Sequence, residues 1–174
     1  MRRVVRILLP LTHPMDVFTH ALAPVILTRL AFGRPAWLRS YGFLAIGIAG
    51  ALPDLLNPHL SLAARLSSWS HGLPFWLLFT VLMFSLTLLK KLKLSWQLAS
   101  ILSFSYVFHM FCDSISGGVD WFYPFGHLQL GDYFVDPIYW VPLDVVLFLI
   151  TYYLFRMLPT LEKTRRNFQS SKGA

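Results

Sequence analysis

Five apolar stretches run along the chain, at residues 17–32, 40–56, 73–89, 94–112 and 137–158, and charged, glycine- or proline-bearing segments separate them. A backbone that crosses hydrocarbon must satisfy its own polar groups, so about 20 apolar residues in a helix make one span. The pattern therefore predicts an all-α fold, an integral membrane helical bundle of about five spans. The third and fifth stretches carry the cleanest signal. The first is short and contains His20 and Arg29, which predicts a tilted or partly inserted helix. In the second, Gly47, Gly50 and Ala51 leave room for the close approach of another helix. Residues 1–160 read as a single membrane-embedded domain, and 161–174 as a polar cytoplasmic tail that frays.

Composition agrees and removes other classes. The chain is 56% apolar, 16% aromatic and only 13% charged, against about 25% charged residues in an average soluble domain. A net charge of +7 would suit a nucleic-acid partner if the cations lined a polar surface. They sit instead in short clusters beside apolar stretches, so the reading is a lipid bilayer and no nucleic acid. The single cysteine, Cys112, excludes an internal disulfide.

The clusters also orient the bundle. Arg29, Arg34, Arg39, Lys90, Lys91, Lys93, Arg156, Lys163, Arg165, Arg166 and Lys172 fall on one side of a five-span arrangement, eleven of fifteen cations. Arg2, Arg3, Arg6 and Arg65 fall on the other. The positive-inside rule then puts the carboxyl end in the cytoplasm and the opposite face toward a periplasm or extracellular space. The amino-terminal arginines oppose this orientation, and Met15 offers an alternative start that removes them. The first fourteen residues are too short for a signal peptide, and Arg2-Arg3 lacks the rest of a twin-arginine signal.

All six histidines and six of the seven aspartates belong to that outward side: His13, Asp16, His20, Asp54, His59, His71, His109, Asp113, Asp120, His127, Asp132 and Asp136. Imidazoles and carboxylates gathered at one face are the raw material of a metal site, which places the polar site at the extracytoplasmic helix ends. Asp144 alone lies inside the last stretch, where it is expected to bond to a neighbouring helix.

The motif with most physical content is His109-Met-Phe-Cys-Asp113. Four residues apart on a helix, the imidazole and carboxylate share one face and can converge on a cation. A helix-end hydrogen bond that only fixes packing explains the spacing equally well. His20 stands four residues after Asp16, and Asp16 or Thr19 can serve as the helix cap. Asp54 follows Pro53 at the outer end of the second stretch, where a helix-disrupting proline turns the carboxylate toward the loop and a turn role competes with ligation. His71 opens the third stretch in Ser70-His71-Gly72 and by itself reads as an interfacial hydrogen-bonding group. Together these ends supply three histidines and two carboxylates, enough for a divalent ion, most naturally zinc, with an open position for water.

The order Met-Asp-x-x-Thr-His, Leu-Pro-Asp, Ser-His-Gly, His-x-x-x-Asp, Tyr-Pro-Phe and Asp-Pro-Ile-Tyr over residues 15–145 resembles the YdjM-type family of membrane-bound metal-dependent hydrolases. That resemblance implies distant similarity to zinc-dependent phospholipase C and P1 nuclease, which are all-helical phosphoesterases. It implies metal ligation by His20, Asp54, His71, His109 and Asp113, with Asp136 a weaker addition. Asp54 or Asp136, if not a ligand, is the expected general base. The chain departs from the family pattern at Leu56, where a second aspartate is common, and at Leu66 and Ser67, where His-Arg is common. Arg65 and His59 lie close by and offer compensation for these departures, although a solvated loop charge is the preferred reading of each.

Three functions follow from these residues: a hydrolase cleaving a phosphoester or ester of a lipid-like substrate at the outer face, a non-catalytic protein clamped by a metal or His-Asp network, and a small ion or metal transporter using Asp144. Transport sites lie near the bilayer midplane, which sets the third apart. Trp69, Trp121, Tyr123, Tyr139 and Trp140 are expected in an interfacial aromatic belt. The cation-free connection 113–136 is expected to be a functional loop, with residues 121–125 as a lid and His127 a loop residue.

Overall fold

Apolar runs fold as helices because the side chains bury together while each backbone ladder satisfies itself, and they do so even through Pro24 and Pro53. The computed structural model describes residues 17–38, 41–58, 62–89, 92, 94–132 and 134–172. Helix α1 is Val17–Phe32, α2 is Gly42–Leu56, α3 is Leu73–Thr87 and α4 is Trp96–Ile115. Two 3-10 turns, Leu62–Ser67 and Trp69–His71, join α2 to α3. A last helical rod runs as α5, Trp140–Tyr152, a π-helical turn, Tyr153–Met157, and α6, Leu158–Lys172. His13, Asp16 and His59 lie outside the described residues.

Helix α4 is the spine. Its Leu98, Leu102, Tyr106 and Met110 are buried and pack with Val25 of α1, Ile46 and Ala49 of α2 and Phe79 of α3. Ser95 caps its start by accepting from the Leu98 amide. Helix α1 lies across α2 because Gly50 has no side chain: a Cβ there would stand 2.2 Å from the His20 carbonyl oxygen. The small-residue expectation for the second stretch is thus realised in an α1–α2 contact. Asp144 of α5 accepts from Thr19 Oγ1 of α1 at 2.5 Å, the interhelical bond expected of it.

Several expectations are corrected. Pro53 does not end α2, which continues to Leu56 with Asn57 N–H donating to the Pro53 carbonyl. Residues up to Lys172 form helix rather than a frayed tail, carried by helix formers such as Leu161, Glu162, Lys163, Arg165 and Arg166. Among the described residues two helices, Trp96–Ile115 and Trp140–Gln169, are long and apolar enough to cross a membrane, which accounts for two of the five expected spans by length and composition. The third stretch, expected to be a clean span, is a 15-residue helix. Trp140 is buried, unlike an aromatic-belt residue.

The connection after α4 is not a loose lid. It holds a two-residue antiparallel ladder, Val119–Asp120 with Gln129–Leu130. Val119 is buried in the core, and the Leu73 amide donates to the Trp121 carbonyl at 2.7 Å. Gly131, at φ +109°, lies against the Ser114 backbone where any Cβ would collide.

Candidate metal centre

The ends of α2 and α4 and the turn before α3 meet at one point. Asp54, His71, His109 and Asp113 each offer one donor atom there, and these four atoms lie within 4.8 Å of one another. His71, His109 and Asp113 are fully buried, and the Asp54 side chain is 11% exposed. Of the expected ligands, His20 is the one outside this foursome. Its Nε2 is 3.2 Å from Asp113 Oδ1, and its ring stacks on His109 with centroids 3.9 Å apart.

The spacing fits a divalent ion. A tetrahedron with metal–ligand bonds of about 2.0–2.1 Å has edges of about 3.3 Å. Here the two Nε2 atoms are 3.2 Å apart. His71 Nε2 is 3.2 Å from Asp54 Oδ1 and 3.3 Å from Asp113 Oδ2. His109 Nε2 is 3.3 Å from Asp113 Oδ2 and 3.7 Å from Asp54 Oδ1. Five edges of the polyhedron thus fall near the tetrahedral value.

Hydrogen bonds behind the imidazoles turn the right nitrogens inward. His109 Nδ1 is 2.7 Å from the Gly50 carbonyl, which accepts only, so Nδ1 carries the proton and Nε2 keeps its lone pair. His71 Nδ1 faces Ser68 Oγ at 2.9 Å and Ser70 Oγ at 3.2 Å. Ser70 Oγ donates to the Pro53 carbonyl at 2.7 Å, and Asn57 Nδ2 donates to Ser68 Oγ at 2.8 Å. With the Ser68 hydroxyl donating to Ser70, both serines accept from His71 Nδ1–H, leaving its Nε2 free to ligate. Tyr106 Oη, donating to the Ser70 carbonyl, pins the same turn from α4.

Burial disfavours a charged His71, yet hydrogen bonds and charge from Asp113 and Asp54 more than offset it and raise its pKa. Those carboxylates attract a cation to this point, whether proton or metal.

Arg65 is the residue whose preferred sequence reading the fold overturns. It is fully buried, not a solvated loop charge, because its guanidinium pairs with Asp113 Oδ1 and donates to the Ser116 carbonyl at 3.0 Å. It stands two positions before the common family arginine place, occupied here by Ser67. The available signal was that Arg65 is the one cation in residues 57–72.

Asp136 and Asp120 lie outside this foursome. Asp136 is exposed, and its Oδ1 accepts from the Ile138 amide at the start of the last helical rod. Asp120 is buried and accepts from the Leu128 amide at 2.8 Å, with His127 Nδ1 2.7 Å from its other oxygen. His127 is 78% exposed, a loop residue as expected.

A sequence profile of the YdjM inner membrane protein family matches residues 15–169, almost the whole chain and every residue of the cluster. The chain belongs to that family. No curated protein and no solved structure matches it. Family membership and the two long apolar helices support a membrane location, and the buried Asp-His-His-Asp group can hold a metal ion.

Proposed function

We propose that this YdjM-family protein is a membrane-bound metal-dependent hydrolase that cleaves a phosphoester or ester of a lipid-like substrate at the outer face of the bilayer. The observation that carries the reading is the convergence of Asp54, His71, His109 and Asp113 from three separate segments onto one set of tetrahedral edges. Two imidazoles and two carboxylates at that spacing suit zinc. Such an ion, when bound, supplies water that ionises near neutral pH and a Lewis-acid contact for the ester oxygen.

The protein's own residues do the rest. His71 and His109 hold the site in the neutral tautomers that Ser68, Ser70 and the Gly50 carbonyl impose. Asp113 is locked by Arg65 and His20. Asp54 is the partly exposed member of the four. In the catalytic reading it leaves coordination to His71, His109 and Asp113, so that the fourth position is open to water, and it is the carboxylate placed to accept a proton. Asp136, engaged in capping, stands outside the chemistry in this reading. An all-helical scaffold carrying His and Asp donors is the basis for distant kinship with zinc-dependent phospholipase C and P1 nuclease.

In the same reading all five helical stretches are membrane-embedded. Helices α1, α2 and α3, of 16, 15 and 15 residues, measure about 22–24 Å at about 1.5 Å per residue, short of a hydrocarbon core of about 30 Å. A locally thinned bilayer accommodates them. The cation clusters put the carboxyl end in the cytoplasm and the metal group at the outer face.

A second reading, a structural metal clamp without turnover, is favoured by the complete burial of His71, His109 and Asp113. Assay of purified protein against phosphoester and lipid-ester panels separates the two. The hydrolase reading expects turnover that disappears with the metal in His109→Ala; bound metal without turnover on any ester supports the clamp.

A further inference from the structure

We propose that Arg65 is a built-in second cation of the metal group and restricts it to one divalent ion. This rests on the metal-binding reading above and concerns how many ions the group accepts. Asp113 is the hub. Its Oδ2 lies 3.3 Å from the Nε2 atoms of both His71 and His109. Its Oδ1 meets the Arg65 guanidinium and, at 3.2 Å, His20 Nε2. A carboxylate placed this way can bridge two cations, one on each oxygen, and here a guanidinium already holds the second oxygen.

That occupant is permanent. Arg65 is fully buried, and its other branch, Nη2, is fixed by the Ser116 carbonyl at the end of α4. A guanidinium stays charged at any pH the protein meets and has no lone pair to give a metal, so it can neither leave as a neutral group nor become a ligand. Charge gives the same answer. Asp54 and Asp113 contribute two negative charges and Arg65 one positive; with every imidazole neutral the group stands at −1, and a proton on His20, which also faces Asp113 Oδ1, would only make it more positive. One divalent ion takes it to +1. A second would take it to +3 around fully buried His71, His109, Asp113 and Arg65, where uncompensated charge is strongly unfavourable.

The test is a zinc titration of the metal-stripped full chain in detergent, read by calorimetry and elemental analysis, for wild type, Arg65→Lys and Arg65→Gln. Cobalt absorption spectra report the ligand geometry of each. Wild type should saturate at one ion per chain even at millimolar zinc. Arg65→Lys, which keeps the charge, should also stop at one. Arg65→Gln, which removes it, should take up a second ion at millimolar zinc. Two ions in wild type or in Arg65→Lys would overturn the proposal, as would a folded Arg65→Gln protein that stops at one ion or binds none. Should Arg65→Gln not fold, wild type and Arg65→Lys still decide. A wild type that binds no zinc removes the metal reading itself, an outcome distinct from two ions.

Discussion

His71 and His109 turn their Nε2 atoms toward each other across 3.2 Å. Two lone pairs at that distance repel, so something positive must sit with them, either a shared proton or a metal ion. Nothing in the His109 surroundings allows the ring to escape by flipping, because its Nδ1–H is held by the Gly50 carbonyl. The facing pair is therefore a fixed element of the fold, built by α4 and by the turn before α3.

If the serines behind His71 set its tautomer, removing one should weaken the metal without touching any ligand. Ser70→Ala deletes the bond to the Pro53 carbonyl and an acceptor for His71 Nδ1. Metal affinity should fall by about 10- to 100-fold, the usual effect of losing a partner that orients a ligand. Competition with a chromogenic chelator measures it; unchanged affinity would show that the tautomer is set elsewhere.

Gly50 and Gly47 offer a matched pair. A Cβ at Gly50 would sit 2.2 Å from the His20 carbonyl oxygen, whereas one at Gly47 meets its nearest atom, the Ala21 carbonyl oxygen, at 3.4 Å. Gly50→Ala must push α1 off α2, at a cost of about 1–3 kcal/mol, and moves His20 away from Asp113. Gly47→Ala should change stability by less than about 1 kcal/mol, helped by the higher helix propensity of alanine. Unfolding in mixed micelles compares the two, and equal stabilities would contradict the crossing.

The Thr19–Asp144 bond links α1 to α5 away from the metal group. Interhelical hydrogen bonds in membrane proteins contribute about 0.6 kcal/mol on average and up to about 2. A double-mutant cycle with Thr19→Val and Asp144→Asn should give a coupling in that range with metal content unchanged. Loss of metal in either single variant would tie this pair to the site.

Asp120 gives the loop a pH dependence. Burial alone would raise its pKa, but hydrogen bonds from His127 and the Leu128 amide outweigh it and hold the carboxylate below its ordinary value. A depressed carboxylate pKa stabilises the folded loop above the ordinary aspartate value, about 3.9. That contribution is lost as pH falls through the lowered folded value. Hydrogen exchange at the Leu128 amide should be slow at neutral pH, speed up in acid beyond the intrinsic pH effect, and be fast at all pH in Asp120→Asn. Protection in Asp120→Asn equal to wild type would refute this.

Helix positions were legible in the chain because apolar runs fix where helices lie; α1 ends at Phe32, where the pattern put it. The lengths were less legible. Residues 158–172 continue as helix because local propensity, absent from a hydropathy reading, carries the rod onward. Pro53 reads as a disruption of the helix, yet α2 continues through it to Leu56, as the apolar pattern over 40–56 had it.

Of the site, His71, His109, Asp113 and Asp54 were readable from helix-end position and i,i+4 spacing. The placement of His20 beside Asp113, on the oxygen that Arg65 also takes, was not readable, since spacing along a helix says nothing about which oxygen of a distant carboxylate a side chain meets. The burial of Arg65 was equally hidden. A loop arginine is solvated on average, and only the fold shows that the 3-10 turn aims it at Asp113.

Elemental analysis of the purified protein, wild type beside Asp113→Ala, tests the metal centre most directly. Wild type should carry zinc or another divalent ion in stoichiometric amount, and Asp113→Ala, folded by circular dichroism, should carry almost none. A wild-type protein free of divalent metal after purification and zinc loading, or an Asp113→Ala protein that retains the full amount, would contradict the account.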